Sequence, residues 1–189
     1  MDCYFHYNQG NAYKRKGSYE EAILEYTHAI SKKPDFDDAY LNRGIVKFSL
    51  SNINEAISDF NQAIKINPKN PNAYFCRGEC YKWIGNSGSL AIEDFTQAIR
   101  LNPSDDESYK KRGLTYINLG KYKEALEDLN QAISINKENA NTYFCRASIY
   151  IEKGDSTQAK NDLKKSAELY EKQGIKPSAE KAWELYNKL

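Results

Sequence analysis

The chain has 189 residues, with 27 lysines and arginines against 26 aspartates and glutamates, for a formal charge of +1. That near-balance, without a basic block, speaks against nucleic acid as a partner, and no stretch approaches the roughly 20 apolar residues that span a bilayer. The opening residues Met1 to Tyr7 lack a basic stretch followed by an apolar run, so the expectation is a cytoplasmic chain whose four cysteines are free thiols.

A period organises the rest. Gly10, Gly44, Gly78, Gly113 and Ala147 recur at steps of 34 or 35 residues, and so do Ala22, Ala56, Ala91, Ala125 and Ala159. A fixed step of this size means stacked supersecondary units rather than one globular core. The first unit, 3–36, holds two helical bursts around Gly17. In the second, 37–70, Tyr40, Gly44 and Phe48 mark one helix, while Ile53, Ala56, Ile57, Phe60, Ala63 and Ile64 mark the next, at i, i+3, i+4 spacing. Ser51-Asn52 makes its turn in place of a glycine. The third, 71–105, turns at Gly85, and the extra residue in Asn86-Ser87-Gly88-Ser89 predicts a longer connection there. The fourth, 106–139, turns at Gly120 and the fifth, 140–173, at Gly154, residues suited to the positive φ that ends many helices. Pro34, Pro68 and Pro103 close the first three units. Gly174-Ile175-Lys176-Pro177 then breaks the chain, and Ser178 is placed to cap a last helix, 178–188, that covers the end of the fifth unit. The fold class is all-α, an α-solenoid of stacked antiparallel helical hairpins.

The glycines at 10, 44, 78 and 113 fall mid-helix, where each costs about 1 kcal/mol against alanine. Close approach to the alanines of the second helices would offset that cost, with Tyr26, Phe60, Phe95, Leu129 and Leu163 filling the space beside them.

These units resemble tetratricopeptide repeats. The pattern is carried by His6, Gly10, Tyr13, Ala22, Tyr26, Ala29 and Pro34 in the first, by Tyr74, Gly78, Tyr81, Ala91, Phe95, Ala98 and Pro103 in the third, and by Tyr109, Gly113, Tyr116, Ala125, Leu129 and Ala132 in the fourth. Lys47, Lys137 and Ser166 depart from it at a tyrosine, a proline and an alanine position. The resemblance implies a right-handed superhelix whose first helices line a concave groove for a peptide or helix of another protein. Transferred position by position, the groove comprises Tyr7, Asn11, Leu41, Asn42, Ile45, Phe48, Phe75, Glu79, Trp83, Lys111, Leu114, Ile117 and Phe144. So apolar a set predicts a non-catalytic adaptor for an apolar or amphipathic segment, unless curvature hides several of these side chains in the core. Self-association through the first repeat is the alternative, and an RNA-reading helical repeat a remote one. The family's carboxylate clamp for chaperone C-terminal tails is disfavoured: Asn11 and Asn42 are in place, but Tyr7, Asn72 and Cys76 stand where its three cations belong.

Charge recurs with the same period. Arg43, Arg77, Arg112 and Arg146 share one position and Glu25, Asp59, Asp94, Asp128 and Asp162 another, while the first unit has Gln9 for arginine. The expectation is a ladder between repeats, Glu25 with Arg43, Asp59 with Arg77, Asp94 with Arg112 and Asp128 with Arg146; arginines reading an anionic ligand are the competing account. No catalytic residues, cofactor or metal site are expected. Cys76 and Cys80 are i, i+4 but Cys145 lies two repeats away, His6 occupies an aromatic packing position, and no phosphate-binding glycine-lysine motif occurs.

Overall fold

Eleven helices and no strand are found among the described residues, 1–85 and 87–189, of the computed structural model. They are α1 (Cys3–Lys16), α2 (Tyr19–Lys32), α3 (Asp37–Ser49), α4 (Ile53–Ile66), α5 (Pro71–Trp83), α6 (Gly88–Leu101), α7 (Asp106–Asn118), α8 (Tyr122–Ile135), α9 (Ala140–Glu152), α10 (Ser156–Lys172) and α11 (Lys176–Lys188). Two compact units divide the chain where the sequence reads as one array: Met1–Pro103 holds α1–α6 and Ser104–Leu189 holds α7–α11. Within each unit, consecutive helices pack on one another as antiparallel hairpins.

Local chemistry sets the helix ends. Asp2, Asn70, Asp105, Asn139 and Asp155 each accept a bond from a backbone N–H of the first turn that follows, satisfying a donor the helix leaves open. Gly17, Gly85, Gly120 and Gly154 take φ of +78°, +37°, +70° and +74°. Ser51 does the glycine's work at φ +63°, with Ser51 N–H to Phe48 O at 2.9 Å and Asn52 N–H to Lys47 O at 2.9 Å, the same two bonds Gly120 and Lys121 make. A Cβ makes that conformation costly. Of the expected longer turn, Asn86 lies outside the described residues, Ser87 precedes α6 and Gly88 opens it.

Two details differ from the sequence reading. Ser178 does not cap α11; the helix starts at Lys176 with Pro177 in its first turn, where a missing N–H costs nothing and the ring presets φ. At Gly10, Gly44 and Gly78 the nearest neighbour is a ring rather than an alanine. A Cβ on Gly10 would stand 2.7 Å from the Tyr26 ring, on Gly44 2.7 Å from Phe60, and on Gly78 2.9 Å from Phe95, so each glycine is a notch that seats a ring. Those rings are fully buried, as are Leu129 and Leu163 in the second unit. There the notch relaxes: Gly113 has Leu129 Cγ at 3.3 Å, and in the fifth repeat Ala147 already stands in the glycine's place. In the second unit α11 packs against α10, laying Ala182, Trp183, Leu185 and Tyr186 beside Ala147, Leu163 and Ala167.

Candidate functional site

Each arginine grips the aspartate of its own hairpin, which corrects the expected ladder between repeats. Arg43 forks onto Asp59 (Nε to Oδ2 2.9 Å, Nη2 to Oδ1 2.7 Å), and Arg77–Asp94, Arg112–Asp128 and Arg146–Asp162 repeat the geometry at 2.8 and 2.7 Å. The two partners lie on antiparallel neighbours joined by a short turn, so they meet across the hairpin. Glu25, left without arginine, instead takes His6 Nδ1 at 2.7 Å. The link to the preceding repeat runs through the guanidinium's other arm and a neutral acceptor: Arg43 Nη1 to Thr27 Oγ1 at 2.9 Å, and Arg77 to Asn61 and Arg146 to Asn130 at 2.6 Å. A tyrosine ring lies against each cation, and two flank Arg77, Tyr74 and Tyr81 at 5.7 and 5.9 Å. Lys47, the departure from tyrosine, puts a second cation 3.0 Å from Asp59. Bonds donated to the aspartates hold Arg77, Arg112 and Arg146 above the usual guanidinium range, while burial lifts the Asp94 carboxyl against the pull of Arg77. With every oxygen of these four carboxylates engaged by its own arginine, the pairs are built into the hairpins rather than offered to an anion.

In the N-terminal unit, α1, α3 and α5 carry the candidate groove. A polar strip joins the first two: Asn42 donates to Tyr7 Oη at 3.1 Å and to Asp38 O at 2.9 Å, and accepts from Lys14 Nζ at 2.5 Å. Tyr26 Oη donates to Asn11 at 2.7 Å. Burial, with Arg15 adding, lowers the Lys14 pKa. On α5, burial pushes the Cys76 thiol up to about 12, Glu79 adding and Lys14 opposing. Glu79 receives Lys82 at 3.2 Å. Beyond the strip, Trp83 is 73% exposed and meets the edge of Phe48, centroids 6.4 Å apart.

Most of the expected apolar lining is spent on packing. Leu41 leaves the candidate surface: it is 6% exposed and sits in a core cluster with Phe60, Ala63 and Cys80. Ile45 and Phe48 lean on the same cluster, and Phe75 packs 5.7 Å from Phe95. In the C-terminal unit Leu114 and Ile117 pack on Leu129 and Ile149, Lys111 lies 3.8 Å from Glu107, and Phe144 lies beneath Lys181 of α11, 5.6 Å from its ring. First-helix side chains here serve the hairpin and the neighbouring repeat at once, which is why an apolar pattern on them reads as both core and groove.

A further constellation lies outside the sequence-based reading. His6, Glu25 and His28 bring one possible ligand atom each within 4.8 Å of one another. Its signal in the sequence is that the first repeat differs from the others at all three places. The four cysteines are free, and burial first of all raises Cys80 to about 12 and Cys145 to about 11, so these thiols are poor nucleophiles at neutral pH. Among the described residues no helix is long and apolar enough to cross a membrane.

Comparisons with known proteins agree with this architecture. The TPR repeat model matches residues 10–51, 46–85 and 113–154, and two Tetratricopeptide repeat models match 95–127 and 140–173. The mitochondrial import receptor subunit TOM70 of Rattus norvegicus is 36% identical over 84 residues, 42% of this chain and 14% of the receptor. The chain thus matches about a seventh of the length of that relative. The crystal structure of MamA superposes with a TM-score of 0.81 at 26% identity, covering 88% of this chain and 96% of MamA. YrrB, described as a TPR protein with an unusual peptide-binding site, gives 0.74 at 21% identity over 93% of this chain and 90% of its own, a likeness of fold. With the glycine notches, the helical hairpins and these matches along its length, the chain belongs to the tetratricopeptide-repeat family.

Proposed function

We propose that this protein is a non-catalytic, cytoplasmic adaptor that holds an apolar or amphipathic peptide segment of another protein on the first-helix face of its N-terminal unit. Trp83 carries the reading. A tryptophan 73% exposed at the end of α5, edge-on to Phe48, keeps a large apolar ring in water without a folding benefit to match, and tryptophan is among the residues that most often anchor an interface. On the first helices α1 and α3 of the same unit, the strip of Tyr7, Asn42 and Lys14 supplies donors and acceptors for an extended backbone. A free C-terminal carboxylate is not the ligand class favoured, since Cys76 is a half-buried thiol where a clamp would need a cation.

Trp83→Glu should abolish capture of the partner, and Leu24→Glu, at a 54% exposed site on α2, should leave it intact. Equal capture by both variants, each as helical as the parent, would move the working surface elsewhere. Tyr4 and Phe5, 54% and 41% exposed on α1, favour a second reading, self-association through that helix. Sedimentation that shows mass rising with concentration, lost in Phe5→Glu, would select it.

A further inference from the structure

The first hairpin breaks the repeat at four places that face one another. Later repeats carry tyrosine, arginine and aspartate where α1 and α2 carry His6, Gln9 and Glu25, and three of the four carry glutamine where α2 carries His28. The changes are coupled in space. Loss of the arginine leaves the Glu25 carboxylate without the guanidinium that grips its counterparts, and two imidazoles converge on it instead: His6 Nδ1 is 2.7 Å from Glu25 Oε2, and the His6 and His28 rings lie 5.1 Å apart at 60°.

We propose that His6, Glu25 and His28 form a binding site for a divalent transition-metal ion of the zinc class. Glu25 and His28 stand i, i+3 on α2, the spacing by which one helix directs a carboxylate and an imidazole to one ion, and His6 adds the third ligand from α1. Tetrahedral coordination at bond lengths of about 2.0–2.2 Å sets ligand atoms about 3.4 Å apart. The three ligand atoms already lie within 4.8 Å of one another, so the 2.7 Å pair opens and the wider separations close by about 1.4 Å at most. That movement falls to His28, which is exposed and free to turn about its side-chain torsions. Two imidazoles and one carboxylate favour Zn²⁺, Co²⁺, Ni²⁺ or Cu²⁺ over the all-oxygen cations Mg²⁺ and Ca²⁺. The fourth position goes to water. On binding, the ion takes the place of the direct His6–Glu25 contact and supplies the positive charge that arginine supplies in every later repeat, clipping α1 to α2.

Calorimetric titration of the whole chain, thiols reduced, with Zn²⁺ and separately with Mg²⁺ tests this, alongside Co²⁺ titration followed by visible absorption. The expected result is one Zn²⁺ per chain, no heat from Mg²⁺, and affinity at least tenfold weaker in both His28→Gln and His6→Tyr, the first restoring the residue of three later repeats and the second that of all four. Cys3, half-buried at the start of α1, is the competing ligand. Cys3→Ser should bind as the parent does, and the Co²⁺ complex should lack the near-ultraviolet band of a thiolate ligand. The proposal fails if the parent binds no stoichiometric Zn²⁺, if His28→Gln binds as tightly as the parent, or if Cys3→Ser abolishes binding.

Discussion

Adding one methyl group in the second and fourth repeats should move stability in opposite directions. At Gly44 a Cβ would meet Phe60 Cε1 at 2.7 Å, Cδ1 at 3.0 Å and Cζ at 3.1 Å, against an optimum of about 3.5–4.0 Å between carbons. The ring is fully buried in a cluster with Leu41, Ala63, Ala73 and Cys80, so it has no solvent side toward which to retreat. Overpacking of this kind costs about 1–3 kcal/mol, and the helix gains about 1 kcal/mol when glycine becomes alanine. Gly44→Ala should therefore be destabilised, by up to about 2 kcal/mol. At Gly113 the nearest atoms are Asp128 Cβ and Leu129 Cγ at 3.3 Å and Ala125 O at 3.4 Å, a shortfall of a few tenths of an ångström rather than a clash with a ring. The fifth repeat already pairs Ala147 with Leu163, both buried. Gly113→Ala should thus gain up to about 1 kcal/mol of helix propensity. Urea denaturation followed by circular dichroism reads both, and Gly44→Ala combined with Phe60→Leu, a copy of the fifth repeat, should lose less than the sum of the two single changes. A Gly44→Ala protein as stable as Gly113→Ala would refute the notch.

Ser51→Gly should raise stability by about 1 kcal/mol, because φ +63° strains any residue with a Cβ; an unchanged urea midpoint would contradict this. Arg77→Met strands the 3% exposed Asp94 and should cost about 3–5 kcal/mol at neutral pH. Burial already lifts that carboxyl, and without Arg77 nothing opposes the lift, so its folded pKa rises further above the unfolded one. The penalty is then full above the raised pKa and relieved as pH falls through it, so the deficit should shrink in acid; a deficit that grows in acid would reverse the argument. Leu41→Glu should unfold the N-terminal unit by burying a carboxylate at a 6% exposed site, whereas Trp83→Glu should leave the unfolding free energy within about 0.5 kcal/mol of the parent's.

The period made hairpins, turn glycines and buried aromatic positions legible, since every repeat votes for the same assignment and Gly17, Gly120 and Gly154 adopt the expected backbone. The ion pairs were legible as partners but not as pairs. Arg43 is 18 residues from Glu25 and 16 from Asp59, and in a periodic chain those separations look alike. Only the turn between α3 and α4 decides between them. Leu41 was misplaced for a related reason: helical spacing shows that a first helix has an apolar face, but that helix packs both on its own partner and on the next repeat, and the pattern does not say which apolar side chain is left over. His6, Glu25 and His28 escaped because each taken alone is a mild departure at a packing position; comparing the first repeat with the other four across all three positions would have found them.

Photo-cross-linking would show whether a partner docks beside Trp83. A photoreactive phenylalanine analogue at position 83, and separately at position 24, would be activated with the partner present and the adduct mapped by mass spectrometry. One dominant adduct is expected from position 83, to a short apolar or amphipathic segment, and none from position 24. Cross-links from position 24 with none from position 83 would contradict docking beside Trp83.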